Sequence, residues 1–359
     1  MCKKTAVFWS IYLFFCLFFC SCAQETPDLF DHAAQSHSAS MSVYFVDVGQ
    51  GDCTIVRSPG GKTMLVDAGD QANGRRVEKL MHVLGIEKLD VAVATHLHDE
   101  HIGGLIGVLE RFPTESVYMP RAVHATQLYQ TLMETIQAKG LSVHTARSSV
   151  TIPFDDKVQV QVLAPVGEGS AEPGDESAVI KISYQKTSFL LTGDAEAPNE
   201  SQLLSSGADV SADVLKIGRH GSANATTEEF LKAVSPSVAV ISVGSGNPYG
   251  YPDREVLDRL APYATVYRTD ESGTLQAVSD GESIVFRQTA YSFAGSSALS
   301  AQSDPQAHSG AGITVFVTET GKKYHREACP SLLKSKISIA LDDAKAQGYT
   351  ACARCKPAV

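Results

Sequence analysis

Three histidines and two carboxylates fall within six residues of this chain, at His96-Leu97-His98-Asp99-Glu100-His101. The run before them, Leu89 to Ala94, is short, Val-rich and bounded by charge, so it reads as a buried strand. The run after them, Ile102 to Leu109, has the apolar spacing of a helix. The histidines therefore sit on a strand-to-helix turn at the carboxyl end of a strand, where open α/β sheets hold their ligands. His96 and His98, two residues apart, can converge on one ion, and His101 can serve a second beside it. Imidazole and carboxylate together suit Zn, Mn or Fe. Three of the chain's eleven histidines lie in this one window, which argues against a polar loop with chance histidines.

The rest of the chain supplies more strand ends with chemistry on them. Val43 to Val46, Cys53 to Val56 and Lys62 to Gly69 read as strands, and Gly49 and Gly51 allow a sharp turn between the first two. Asp67, next to Gly69, lies at the end of the third strand, and we expect it to orient a metal-bound histidine rather than merely cap a turn. Gly74 to Leu84 and Gln127 to Lys139 read as helices. His124 and His144 lie outside any metal spacing and read as ordinary histidines. Val158 to Leu163 alternates as a half-buried strand should. Val179 to Tyr184 and Ser188 to Thr192 form a hairpin pattern that delivers Gly193-Asp194, a carboxylate placed to bridge two cations. His220 follows another strand, Asp213 to Gly218. Lys216 and Arg219 beside it suit a phosphate oxygen, as a point charge and a bidentate fork respectively.

These stretches resemble one family in order. His96 to His101 is similar to the H-x-H-x-D-H signature of the metallo-β-lactamase superfamily, with Glu100 where the family has Asp. Phe45-Val46-Asp47-Val48-Gly49-Gln50-Gly51-Asp52 resembles the opening of the β-lactamase-like domain of the ComEC competence proteins. Thr192-Gly193-Asp194 and Asp213 to Ser222 resemble two later motifs of that domain, with Arg219 in place of a first histidine. Ser177 matches a serine that follows an Asn-rich stretch. Asn247 to Asp253 resembles N-x-Y-G-H-P-H, with Tyr251 and Asp253 where the family has histidines. The resemblance implies an αββα sandwich. It also implies two divalent ions, Zn or Mn, one held by His96, His98 and Asp194 and the other by Glu100, His101, Asp194 and His220. Asp99 or Asp194 would then take a proton from the attacking water, and Lys216 or Arg219 would steady the developing charge.

The two ends differ from the middle. Lys3-Lys4 precede an apolar run from Ala6 to Phe19, the pattern of a secretory signal or of an uncleaved anchor. Ser21-Cys22 after it resembles the lipobox of bacterial lipoproteins, which would make Cys22 the lipidated residue. Near the other end, His325, Cys329, Cys352 and Cys355 fit a closed tetrahedral zinc site, with disulfide pairing as the alternative. Gly348-Tyr349 before the C-x-x-C resembles the small metal-binding domain of Ada-type DNA-repair proteins. A module of under fifty residues builds little core, and one structural Zn would supply stability.

The expected layout is a signal at 1–22, a polar tether at 23–40, the hydrolase domain at 41–290, a Ser/Ala/Gly/Gln-rich linker at 291–311 and the zinc module at 312–359. A net charge of −10 counts against tight non-specific DNA binding. Residues 311–359 nevertheless carry eight basic against four acidic side chains, either a polyanion-facing surface or a solvated face. The expected function is an exported metal-dependent phosphodiesterase or nuclease acting on extracellular DNA, held at the outer face of a membrane. The rivals are hydrolysis of another extracellular ester or amide, and a degenerate surface protein that binds nucleic acid or a partner. No protein partner is readable.

Overall fold

The computed structural model describes residues 40–121, 124–167, 176–289, 314–318, 322–325, 337–340, 344–345 and 349–352. The expected signal, Cys22, most of the tether and the linker lie outside them, as do Cys329 and Cys355. The described residues belong to two compact units, one containing 40–289 and the other 314–352.

The first unit is built on two sheets. One has eight strands in the order β15 (Ile284–Gln288), β14 (Leu275–Ser279), β1 (Met41–Phe45), β2 (Thr54–Arg57), β3 (Thr63–Val66), β4 (Leu89–Val93), β5 (Thr114–Met119), β6 (Val143–Thr145). The other has seven, β13 (Thr265–Arg268), β12 (Val238–Ile241), β11 (Val214–Lys216), β10 (Thr187–Leu191), β9 (Val179–Tyr184), β8 (Val158–Ala164), β7 (Val150–Thr151). Strands β3 to β6 run parallel, as do β10 to β13, and the expected hairpin is the antiparallel pair β9–β10.

Strand alternation assigns the layers. Val43, Phe45, Val160, Val162, Ile180, Ile182, Phe189 and Leu191 meet between the sheets. Tyr44, Ile55, Leu65 and Ala92 face the other way, onto α1 (Gly74–Val83), α2 (Asp99–Arg111) and α3 (Gln127–Ala138). On the far side, Leu190, Leu215, Ala239 and Ile241 pack on α4 (Ala197–Ser205), α5 (Glu228–Val234) and α6 (Arg254–Leu260). The architecture is α/β, the αββα sandwich that the resemblance implied. Each fully buried Leu, Ile or Phe contributes about 1.5–3 kcal/mol, so three apolar layers hold the sheets at a fixed spacing.

Helix α2 starts three residues earlier than its apolar pattern indicates. His98 is its N-cap, and Asp99 and Glu100 lie in the first turn, where the helix dipole favours acidic side chains. Its apolar residues Ile102, Leu105, Ile106 and Leu109 are buried, and the helix ends at Phe112, whose extended backbone suits the following Pro113.

In the second unit, β16 (Thr314–Val317) pairs antiparallel with β18 (Ile337–Ala340), and β17 (Lys323–Tyr324) pairs parallel with β19 (Thr350–Ala351). The Cys352 amide donates to the Tyr324 carbonyl at 2.9 Å, so the pairing continues toward His325 and Cys352, both buried. Among the described residues no helix is long and apolar enough to cross a membrane.

Candidate metal centre

The cluster forms where both parallel strand sets reach their carboxyl ends. Strand β3 delivers Asp67, β4 delivers His96, β10 delivers Asp194, and β11 leads to His220 in a 3-10 turn. The β1–β2 turn adds Asp52. Gly51 is obligatory in that turn. Its φ is +135°, and a Cβ there would lie 2.3 Å from the Glu100 carbonyl oxygen. That close approach lets the Asp52 amide donate to the Glu100 carbonyl at 3.2 Å, joining the turn to α2. Gly193 is similar: with φ +52° it places a would-be Cβ 2.4 Å from Ser177 Oγ, whose hydroxyl accepts the Asp194 amide at 2.8 Å.

Two ligand sets result. One donor atom each from Glu100, His101, Asp194 and His220 lie mutually within 4.8 Å, and so do those of His96, His98 and Asp194. Asp194 belongs to both. It does not cap the following helix, because Glu196 does that with a reciprocal Asn199 bond. Glu100 is half-buried, so its extra methylene is absorbed without leaving the site.

Hydrogen bonds fix the histidine tautomers. His220 Nδ1 lies 3.0 Å from the Ser242 carbonyl and His96 Nδ1 lies 3.4 Å from the Glu176 carbonyl. A carbonyl only accepts, so each Nδ1 carries the hydrogen and, in a neutral ring, each Nε2 presents a lone pair to the centre. Asp67 does the same for His101. One oxygen accepts from the Thr95 amide at 2.7 Å, and the other accepts from Thr95 Oγ1 at 2.5 Å and His101 Nδ1 at 3.0 Å.

Four buried polar atoms of the centre lack a well-aligned hydrogen bond, His101 Nε2, His220 Nε2, Asp194 Oδ1 and Asp52 Oδ1, with His101 Nε2 and Asp194 Oδ1 facing each other at 3.1 Å as an ion pair when His101 is protonated. Buried groups without such a bond are costly in a protein interior. Three of the four belong to one proposed ligand set, so the donor chemistry and its unsatisfied atoms fit a divalent cation.

The electrostatics are those of a cation site. Burial opposes ionisation of Asp194, yet His101 and His220 hold its carboxyl well below the usual range. Burial likewise opposes a charge on His101, but Asp194 and Asp67 raise it well above an ordinary histidine. Burial, reinforced by His101, pushes His96 down to about 3, and burial also lowers His98. Burial raises Asp67 despite His101.

The structure treats the remaining expected residues unequally. Asp99 is exposed in the first turn of α2 and joins neither ligand set. Arg219, with φ +41°, turns its guanidinium to Glu196 at 3.1 Å and stays partly exposed. Lys216 departs from the sequence expectation. It is 2% exposed, paired with Asp52 and donating to the Gly193 carbonyl at 3.0 Å, so its ammonium braces the loops rather than facing solvent. Asp253 accepts from the Ala223 amide at 2.7 Å, bracing the His220 loop. Tyr251 stacks on Tyr249 with ring centroids 5.5 Å apart. Neither residue enters a ligand set. Of the zinc module's set, His325 and Cys352 are described and buried.

Sequence reasoning missed two participants. The Asp52–Lys216 pair joins positions 164 residues apart, and no local pattern marks it. His124, read as ordinary, places its ring 5.5 Å from that of His98, edge to face. His144 does stack harmlessly on Tyr118.

The sequence profile of the Metallo-beta-lactamase superfamily matches residues 46–245. ComE operon protein 3 of Bacillus subtilis (strain 168) is 28% identical over 257 residues, 67% of this chain and 33% of that protein. Recombination protein 2 of Haemophilus influenzae is 30% identical over 236 residues, 64% of this chain and 28% of that protein. The chain thus spans about a third of the length of the curated relatives it matches. Among solved structures, the metallo-beta-lactamase fold protein YhfI from Bacillus subtilis superposes with a TM-score of 0.44 at 13% identity, over 66% of this chain and 99% of that one.

Proposed function

This chain belongs to the metallo-β-lactamase superfamily of metal-dependent hydrolases, and we propose that it is a phosphodiesterase acting on DNA outside the cytoplasm. The observation that carries the hydrolase reading is the convergence of two histidine and carboxylate donor sets on Asp194. His96, His98 and Asp194 would hold one divalent ion, Zn or Mn, and Glu100, His101, Asp194 and His220 the other. When bound, such ions supply Lewis-acid charge and a water acidic enough to attack at neutral pH. Asp67, Ser242 and Glu176 fix the rings, so the donors need no reorganisation. Asp99, exposed beside the ligands, is assigned the relay of the water's proton to solvent, with Asp194 as the alternative acceptor. Arg219 at the rim is assigned to the charge on the phosphoryl oxygens.

Two observations favour DNA over another ester. The matched relatives include a competence protein and a recombination protein by name. In addition, the loop that braces His220 carries Tyr249, 61% exposed and stacked on Tyr251. An exposed aromatic face is a platform for an unpaired base, worth about 1–3 kcal/mol per stacked base. The departures at Arg219, Tyr251 and Asp253 fall outside both ligand sets, which favours a working centre over a degenerate binding module.

Export, with lipid on Cys22 or an uncleaved anchor, and one structural zinc on His325, Cys329, Cys352 and Cys355 complete the proposal. The burial of both His325 and Cys352 supports the zinc reading. Hydrolysis of bis(p-nitrophenyl) phosphate tests the chemistry. We expect turnover with Mn or Zn, abolition by chelator, and loss of at least a hundredfold in His98→Ala. Equal turnover in that variant would remove His98 from the centre.

A further inference from the structure

We propose that a cavity beside the metal centre, lined by Arg121 and Arg147, is a phosphate subsite that holds the backbone phosphate next to the one being cleaved. The inference rests on the phosphodiesterase reading and adds the reason for preferring a polynucleotide over a simple diester.

The cavity has a volume of about 190 Å³. Arg121 enters from the loop after β5 and Arg147 from the loop between β6 and β7, at the carboxyl ends of those strands. Among the described residues neither guanidinium has a hydrogen-bond or ion-pair partner. Arg111, Arg219, Arg254 and Arg268 each hold a carboxylate and Arg57 and Arg259 hold backbone carbonyls, while the exposed Arg75 and Arg287 resemble Arg121 and Arg147 in holding neither. Both side chains are exposed, and two guanidiniums lining one cavity give it a positive field that attracts an anion. Guanidinium forks match a phosphate's tetrahedral oxygens, and Thr145 adds polar lining. Among the described residues that line the cavity, Glu176 is the one acidic one, buried and engaged elsewhere.

Position makes this a subsite of the same reaction. The Glu176 carbonyl is the group that faces His96 Nδ1 at 3.4 Å, so the cavity wall and the metal centre share a residue. The loop bearing Arg121 also carries His124, whose ring lies 5.5 Å from that of His98. At about 190 Å³ the cavity is small beside sites for drug-sized ligands, which run to roughly 300–1,000 Å³, and it has room for a phosphoryl group. A substrate that fills it and the metal centre together must carry two phosphates in sequence, as a nucleic acid backbone does.

The test compares full-length protein with Arg121→Ala/Arg147→Ala on two substrates. Bis(p-nitrophenyl) phosphate has no neighbouring phosphate, and an end-labelled oligothymidylate has many. We expect the double variant to hydrolyse the first at the parent's rate. It should lose roughly ten- to hundredfold in kcat/KM on the second, carried by KM, with the salt slope reduced by about 0.7 for one lost single-strand contact. Arg121→Lys/Arg147→Lys, which keeps charge but not the fork, should fall between the two. Unchanged oligothymidylate turnover and salt slope would overturn the subsite. If the parent hydrolysed neither substrate, the phosphodiesterase reading would fail on its own. The subsite would then be decided by fluorescence anisotropy of labelled oligothymidylate in chelator, where the same weakening supports it and equal affinity refutes it.

Discussion

Asp67 illustrates how single side chains set this centre. Its two oxygens accept three hydrogen bonds, and one of them fixes the ring of His101. Removing such an orienting carboxylate typically costs 10–100-fold in metal affinity. We therefore expect Asp67→Ala to bind metal at the second set weaker by about that factor, read by competition with a chromogenic chelator. His101 adds a pH dependence. Asp194 and Asp67 keep it protonated well above an ordinary histidine, so a cation must displace that proton. Metal binding should release protons, and affinity should fall as pH falls. Titration calorimetry in two buffers of different ionisation enthalpy checks this, and identical heats would contradict it. The residues that the fold gathers around Asp194 were legible in the sequence because clustered histidines at strand ends have few other uses. Lys216 was not. Sequence shows a cation beside His220, but only the fold brings Asp52 to it and turns a phosphate-binding candidate into a buried brace.

Among the elements, the β1–β2 turn and α2 depend on each other. Gly51→Ala would drive a methyl into the Glu100 carbonyl, and either the turn or the helix start must move. The variant should lose metal from the set containing Glu100 and His101 while the His96–His98 set persists. A stoichiometry still near two in the hydrolase unit would contradict that. Lys216 ties the same turn to β11 and to the loop after β10. Lys216→Met leaves Asp52 charged and buried without its cation, a defect that typically costs about 3–5 kcal/mol. Urea unfolding of the chelated protein measures it, and a change below about 1 kcal/mol would show the pair to be dispensable. Strands with clean alternation, such as β8, were read correctly from sequence, as were the long amphipathic helices. Short elements were not: β6, β7, β14, α5 and α6 span two to seven residues, too few for a period to declare itself.

For the molecule as a whole, the αββα sandwich was legible through the resemblance of four motifs, in order, to those of one family. What stayed hidden is the pairing across the sheets, set by residues far apart in sequence. The folded chain also couples its stability to pH. His96 sits near 3 in the folded state against 6.5 ordinarily, so the unfolded chain takes up a proton first. That contribution is complete above pH 6.5 and declines, by up to about 1.4 kcal/mol per pH unit, as pH falls toward 3. His101 acts oppositely, stabilising below pH 6.5 and losing its contribution as pH rises through its elevated value. The chelated protein should show both limbs in unfolding experiments, and His96→Gln should flatten the acid limb alone. The central claim, metal-dependent cleavage of DNA, is tested most directly by digesting end-labelled single- and double-stranded DNA with Mn, Zn or chelator, beside His98→Ala. The account predicts cleavage that needs metal and disappears in the variant. Metal bound at both ligand sets with no cleavage of either DNA would contradict it.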